Sequence, residues 1–331
     1  MKSLLKKAII IAAVTAMLVS SAGCGDLEAE RDVFAMDTFM SFRVYGENAE
    51  SSADAIAVLV QRLDGLFSVT SENSELSRVN MGGTVSVSEE TFSVIKDSLA
   101  LSEALGSCFE LSLYPVSRAW GFTGEENRVP SDAELSELLL LVDDSRVILD
   151  EENLTVTLPA GFMLDLGAVL KGCAADRARR ILSENNEESA LLNFGSSTIL
   201  AYGKKTDGSC WRVGVKSPDN DGSYIGVIEA EDVFISTSGG YERCFTDEDG
   251  NVYHHIIDPE TGKPASGSLA SVTVITDNGM YGDALSTALF VMGEERAEEY
   301  WRSHRDFEYI FVLKDGSVIV SEGAQNLFTP K

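Results

Sequence analysis

Two stretches in the C-terminal third carry residue types that phosphate chemistry needs. One reads His255-Ile256-Ile257-Asp258-Pro259-Glu260-Thr261-Gly262, an imidazole beside an Asp-Pro turn. The other reads Gly282-Asp283-Ala284-Leu285-Ser286-Thr287. A carboxylate and a hydroxyl four positions apart share one face of a helix. Their oxygens suit a hard cation such as magnesium, and an imidazole near its ordinary pKa can take a proton from a hydroxyl. From these residues alone, Asp283 reads first as a helix cap and Thr287 as a residue of the helix surface.

Other glycine-rich and polar stretches break the hydrophobic pattern. They are Ala35-Met36-Asp37-Thr38, Ser74-Glu75-Leu76-Ser77-Arg78-Val79-Asn80, Trp120-Gly121-Phe122, residues 164–176, Asn193-Phe194-Gly195-Ser196-Ser197 and Thr237-Ser238-Gly239-Gly240-Tyr241. Singly, each reads as a turn or a cap. The elements that must position them follow from periodicity. Ile56, Leu59, Val60, Leu63 and Phe67 fall at helical spacing over residues 53–67. Ser88 before Glu89 and Glu90 opens a second helix, and Ser131-x-x-Glu134 is a capping box for a third. Residues 147–158 read as a hairpin, and a helix follows Gly167 to about Glu184. An early strand is expected over 39–45. Later strands are expected over 191–194, 211–215, 227–235, 252–257, 272–275, 309–313 and 318–320, with helices near 283–292 and 295–304. The expected class is α+β, with mixed sheets, flanking helices and two intimately packed lobes.

The chain of 331 residues carries a formal net charge of −27, which argues against nucleic acid as a partner. Cys108, Cys173, Cys210 and Cys244 are widely spaced with no C-x-x-C, so a zinc site is not expected and mostly free, buried thiols are. Three histidines in all exclude a histidine-rich metal site.

The N-terminus has a different character. Lys2, Lys6 and Lys7 precede an apolar run that is too short to span a bilayer, and small residues lead to Ala22-Gly23-Cys24. Residues 1–23 are expected to be a secretory signal of the lipoprotein type, with Cys24 lipidated, residues 24–31 a tether and residues 32–331 the folded domain. That predicts an exported protein, lipid-anchored on the extracytoplasmic face of the cell membrane.

The order and combined content of these stretches, from about Phe34 to about Gly293, resemble the ApbE family of FAD:protein FMN transferases. The resemblance implies binding of FAD and magnesium, cleavage of the pyrophosphate with release of AMP, and attachment of FMN to a Thr or Ser hydroxyl of an acceptor. It also implies acceptors among flavoproteins of membrane or exported redox systems, often with a Ser-Gly-Ala-Thr-like segment. Asp283 and Thr287 match the family's metal ligands, and the carbonyl of Ala168 matches a further ligand position. His255 matches the family's base, and adjacent His254 would point to the opposite face of a strand. Met36, Cys108, Phe109, Glu110, Asp165, Lys171 and Ile257 match flavin-binding positions. Glu110 stands where the family usually has Asp, Cys173 where a tyrosine is common, and Gly282 in place of an alanine. Two other functions fit the same residues: hydrolysis of FAD to FMN and AMP, and flavin or solute binding without catalysis.

Overall fold

The computed structural model describes residues 28–124, 126–219 and 221–331. In chain order come β1 (Glu28–Ala35), β2 (Thr38–Tyr45), α1 (Ala49–Phe67), α2 (Glu75–Val79), β3 (Gly83–Ser86), α3 (Glu89–Leu105), α4 (Tyr114–Trp120), α5 (Asp132–Leu138), β4 (Ile148–Asp150), β5 (Thr155–Leu158) and α6 (Leu170–Glu184). Then follow β6 (Ser189–Phe194), β7 (Thr198–Gly203), β8 (Trp211–Lys216), β9 (Tyr224–Ala230), β10 (Val233–Gly239), β11 (Cys244–Thr246), β12 (Val252–His254), β13 (Leu269–Thr276), α7 (Gly279–Met292), α8 (Glu294–His304), β14 (Glu308–Leu313), β15 (Val318–Val320) and β16 (Phe328–Pro330).

The frame is an eight-stranded antiparallel sheet in the order β1-β2-β6-β7-β10-β13-β14-β15. Alternation sorts its two faces. Met40, Phe42, Leu192, Phe194, Leu200, Phe234, Val272 and Val274 point to the helices and join the main core. Ala201, Ile235, Ile275 and Ile310 point the other way, onto a small sheet of order β16-β9-β8. β13 is therefore buried along nearly its whole length, as a central strand covered on both faces must be.

The amphipathic helix expected over 53–67 forms and starts four residues earlier; its five spaced apolar residues are all buried. Ser88 and Ser131 cap their helices through bonds from Thr91 N and Glu134 N. Three expectations need correction. Residues 28–31, read as part of the tether, belong to edge strand β1, because β2 offers them a full antiparallel ladder. The single strand expected over 227–235 is two strands in different sheets, turned at Glu231-Asp232 with Asp232 at φ 52°. The strand over 252–257 stops at His254, where the Asp-Pro loop begins. Cys108, Cys173, Cys210 and Cys244 are free, with Cys108 and Cys173 buried, Cys210 partly covered and Cys244 exposed. Among the described residues no helix is long and apolar enough to cross a membrane, and Cys24 lies outside them.

Candidate active site

Helices α6 and α7 bring the motif residues together on the helix side of the sheet. Asp283, in the second turn of α7, is only 5 % exposed. Its Oδ2 accepts from the N–H of Gly172 at 3.0 Å and its Oδ1 from the hydroxyl of Thr198 at 3.1 Å. Among the described residues no Lys or Arg stands within ion-pair distance of it. Burial pushes its pKa up, opposed by the charge of Lys171 and by these hydrogen bonds. A buried carboxylate without a cation is costly, and a bound metal ion would offset that cost. Thr287, one turn on, is partly exposed, with its hydroxyl 3.1 Å from Ser238 Oγ. Ser238 also bonds Ser286, whose hydroxyl donates to the Asp283 carbonyl.

The Ala168 carbonyl completes this set. Gly172 is the third residue of α6, so its N–H is one of the first-turn donors that have no partner inside the helix. Here that N–H goes to Asp283, and among the described residues the Ala168 carbonyl receives no backbone hydrogen bond. A buried carboxylate, a hydroxyl and an undonated carbonyl are hard oxygen donors, and so few leave room for water and phosphate oxygens around a magnesium ion. No group of three or more His, Cys, Asp or Glu suited to a metal occurs among the described residues. A softer or carboxylate-rich site is therefore not available there, and the oxygens present fit magnesium.

Lys171 links this cradle to the rest of the site. Its ammonium lies 3.3 Å from the Gly167 carbonyl, and its charge acts on Asp283, Asp165 and His255 alike. Asp165 turns back to accept from Gly167 N at 2.8 Å and hangs on the Leu111 carbonyl through its own N–H. That bond ties residues 108–111 to the cleft. His255 lies just past β12. Burial, then Arg243, His254 and Lys171, lower its pKa to about 4, so the ring is neutral at physiological pH. Its Nδ1 has no partner. His254 turns elsewhere, with Nε2 3.2 Å from the Ala265 carbonyl and its ring edge-on to Phe290. The two neighbours face different surroundings, although β12 ends at His254 and strand alternation does not set the direction of His255.

The remaining residues sit as follows. Met36 and Asp37, at φ 52° and 57°, form the β1–β2 turn; two non-glycine residues there store strain, a common mark of functional turns. Phe109 is buried. Cys108 is buried with Arg296 Nη2 3.1 Å from its sulfur. Glu110 accepts from Ser112 and from Asp144 N, and burial followed by the Asp144 charge raises its pKa to about 7. Ile257 is buried in a satellite core with Val116, Trp120 and Leu135. Gly282 has a packing reason: a Cβ there would come within 2.7 Å of Thr276 Cγ2, so glycine lets α7 settle closely on β13. His304 is exposed on α8. Sequence reasoning missed Thr198, whose strand carries no motif. It placed Ser238 only in a stretch that reads as a turn or a cap.

Fold and site together set a buried carboxylate, neighbouring hydroxyls and a neutral imidazole on an α+β frame. Residues 36–311 match the ApbE family, and the chain belongs to it. It is 34 % identical over 286 residues to a FAD:protein FMN transferase of Klebsiella pneumoniae, covering 85 % of this chain and 88 % of that one. It is 30 % identical to one of Treponema pallidum, covering 89 % and 87 %. Among solved structures, the ApbE protein of Thermotoga maritima superposes with a TM-score of 0.84 at 34 % identity, over 91 % of this chain and 99 % of that one. The flavin transferase ApbE of Vibrio cholerae gives 0.80 at 26 %, with the same coverage.

Proposed function

We propose that this chain transfers FMN from FAD to a Thr or Ser hydroxyl of an acceptor flavoprotein, releasing AMP, with magnesium held by Asp283, Thr287 and the Ala168 carbonyl. The observation that carries the reading is the buried Asp283 carboxylate, with no Lys or Arg in ion-pair distance among the described residues, bonded to the first turn of α6, which follows an Ala168 carbonyl that receives no backbone hydrogen bond. Magnesium would supply charge neutralisation on the pyrophosphate. The acceptor oxygen bonds to the FMN phosphorus as the P–O bond to AMP breaks. Its proton goes to the free Nδ1 of neutral His255, and Lys171 faces the charge that develops on the phosphates. Mass spectrometry of a carrier protein bearing a Ser-Gly-Ala-Thr segment, after incubation with FAD and magnesium, should show an FMN-sized adduct on its threonine. AMP release at an equal rate without the carrier, and no adduct, would make water the acceptor instead.

The reading extends to location. Cys24 lies four positions before β1 begins at Glu28, a reach of roughly 13 Å when extended, so a lipid on it would hold the domain close to the membrane. Cys24→Ser should move the protein from the membrane fraction to the soluble exported fraction; an unchanged distribution would refute lipidation.

A further inference from the structure

Helices α6 and α7 cross backbone to backbone. A Cβ on Gly172 would fall 2.1 Å from the Gly279 carbonyl oxygen, and one on Gly279 would fall 2.7 Å from that of Gly172. Four residues after each glycine stands an aspartate, Asp176 on α6 and Asp283 on α7. Each carboxylate accepts from the other helix's glycine. Asp283 takes Gly172 N at 3.0 Å, and Asp176 takes Gly279 N at 2.8 Å. The two helices thus cap each other's N-termini through a reciprocal Gly-x-x-x-Asp clasp.

The two halves differ in one respect. Asp176 commits both oxygens to α7, the second to Met280 N at 2.7 Å. Asp283 gives one oxygen to α6 and the other to a hydroxyl, which a metal can share. We propose that Asp176 is a positioning residue for the metal site, holding α7 against α6 so that Asp283 and Thr287 meet the Ala168 carbonyl at a fixed separation. This rests on the metal reading above. The argument is geometric: Ala168 precedes α6, Asp283 and Thr287 ride on α7, and the clasp is the hydrogen-bonded joint between them.

The test is a titration of the purified chain with manganese as a spectroscopic stand-in, read by electron paramagnetic resonance well below the melting temperature. Asp176→Asn keeps the size but cannot accept through both atoms, and it should weaken manganese binding about tenfold. The magnesium concentration for half-maximal turnover should rise in parallel, with the KM for FAD little changed. Asn278→Ala removes the side-chain cap on Tyr281 N of the same helix and leaves the clasp intact. It should cost comparable melting temperature with manganese affinity unchanged. Equal loss of manganese affinity in both variants would reduce Asp176 to a helix-stabilising role and overturn the proposal. So would wild-type affinity in Asp176→Asn while Asp283→Ala fails to bind. No manganese binding even by the wild-type chain would instead overturn the metal reading itself.

Discussion

The two faces of the large sheet carry very different concavities. The far face, between the sheet and the edge of β8, holds a cavity of about 340 Å³ lined by Arg43, Arg212, Lys216, Tyr224, Thr237 and Tyr241 among others. The helix face holds the α6–α7 cradle. A concavity by itself therefore does not mark the chemistry. In the far cavity Arg43 is paired with Glu28 and Glu30, Lys216 with Glu242, and Thr237 with Thr273. Its charged groups mostly satisfy one another near solvent, where such pairs contribute little. In the cradle a buried carboxylate has only hydrogen-bond donors, the Ala168 carbonyl receives no backbone hydrogen bond and His255 Nδ1 has no partner. Unmet valence makes the helix face the candidate for chemistry.

The largest effect should follow Asp283→Ala. Turnover should fall about a thousandfold or more, since the charge proposed to anchor the metal is gone. Full activity of this variant in magnesium would invert the comparison of the two faces. His255→Ala comes next, with a loss on the order of 10²–10⁴ in transfer rate and an FAD dissociation constant within a few-fold of wild type. Equal losses in binding and rate would make His255 a flavin contact rather than a base.

A pKa of about 4 is low for a base working near neutrality, and its causes suggest how it is tuned. Burial and the positive charges of Arg243 and Lys171 depress it. An anionic pyrophosphate in the cleft opposes both charges, so FAD should raise the His255 pKa by about one unit or more. Ring-proton titration by NMR with and without FAD checks this, and an unmoved midpoint would separate His255 from the phosphates. In the free protein, the unfolded chain binds a proton between pH 6.5 and about 4 that the folded ring refuses. His255 therefore subtracts stability as pH falls through that window. Glu110 has the opposite shift. Its carboxyl holds a proton up to about pH 7 in the folded state, so its contribution is present below the ordinary glutamate range and fades as pH rises through 7. Glu110→Gln should flatten the fall in melting temperature between pH 5 and 8; an unchanged slope would place the titration elsewhere.

The legible parts of this chain were those written in local pattern. Helix caps at Ser88 and Ser131 and the buried face of α1 need only neighbours in sequence. The hairpin of β4 and β5 is local too. The first half of β1, residues 28–31, was read as tether because Glu28 and Glu30 look solvated; they are, on the open face of an edge strand, while Ala29 and Val33 supply the buried side. Asp283 was legible through its motif, yet what it does locally is cap a helix more than a hundred residues earlier. Thr198 and Asp176 meet their partners only through tertiary crossing, and neither spacing nor periodicity encodes that encounter. The break at Glu231-Asp232 was hidden because β9 and β10 are both apolar, and only their different sheets separate them.

The smallest expected effect sharpens the comparison most. Arg212 lines the far cavity, and among the described residues it has no ion-pair partner, so Arg212→Ala removes a free positive charge without orphaning another group. A surface change of this kind costs at most about 0.5 kcal/mol. If flavin and metal bind on the helix face, transfer rate and KM for FAD should stay within about twofold of wild type, because the sheet lies between this guanidinium and the cradle. A rise in KM for FAD beyond tenfold would place a phosphate in the far cavity. The buried carboxylate on the other side would then be structural, its cation-free burial explained by the helix clasp alone.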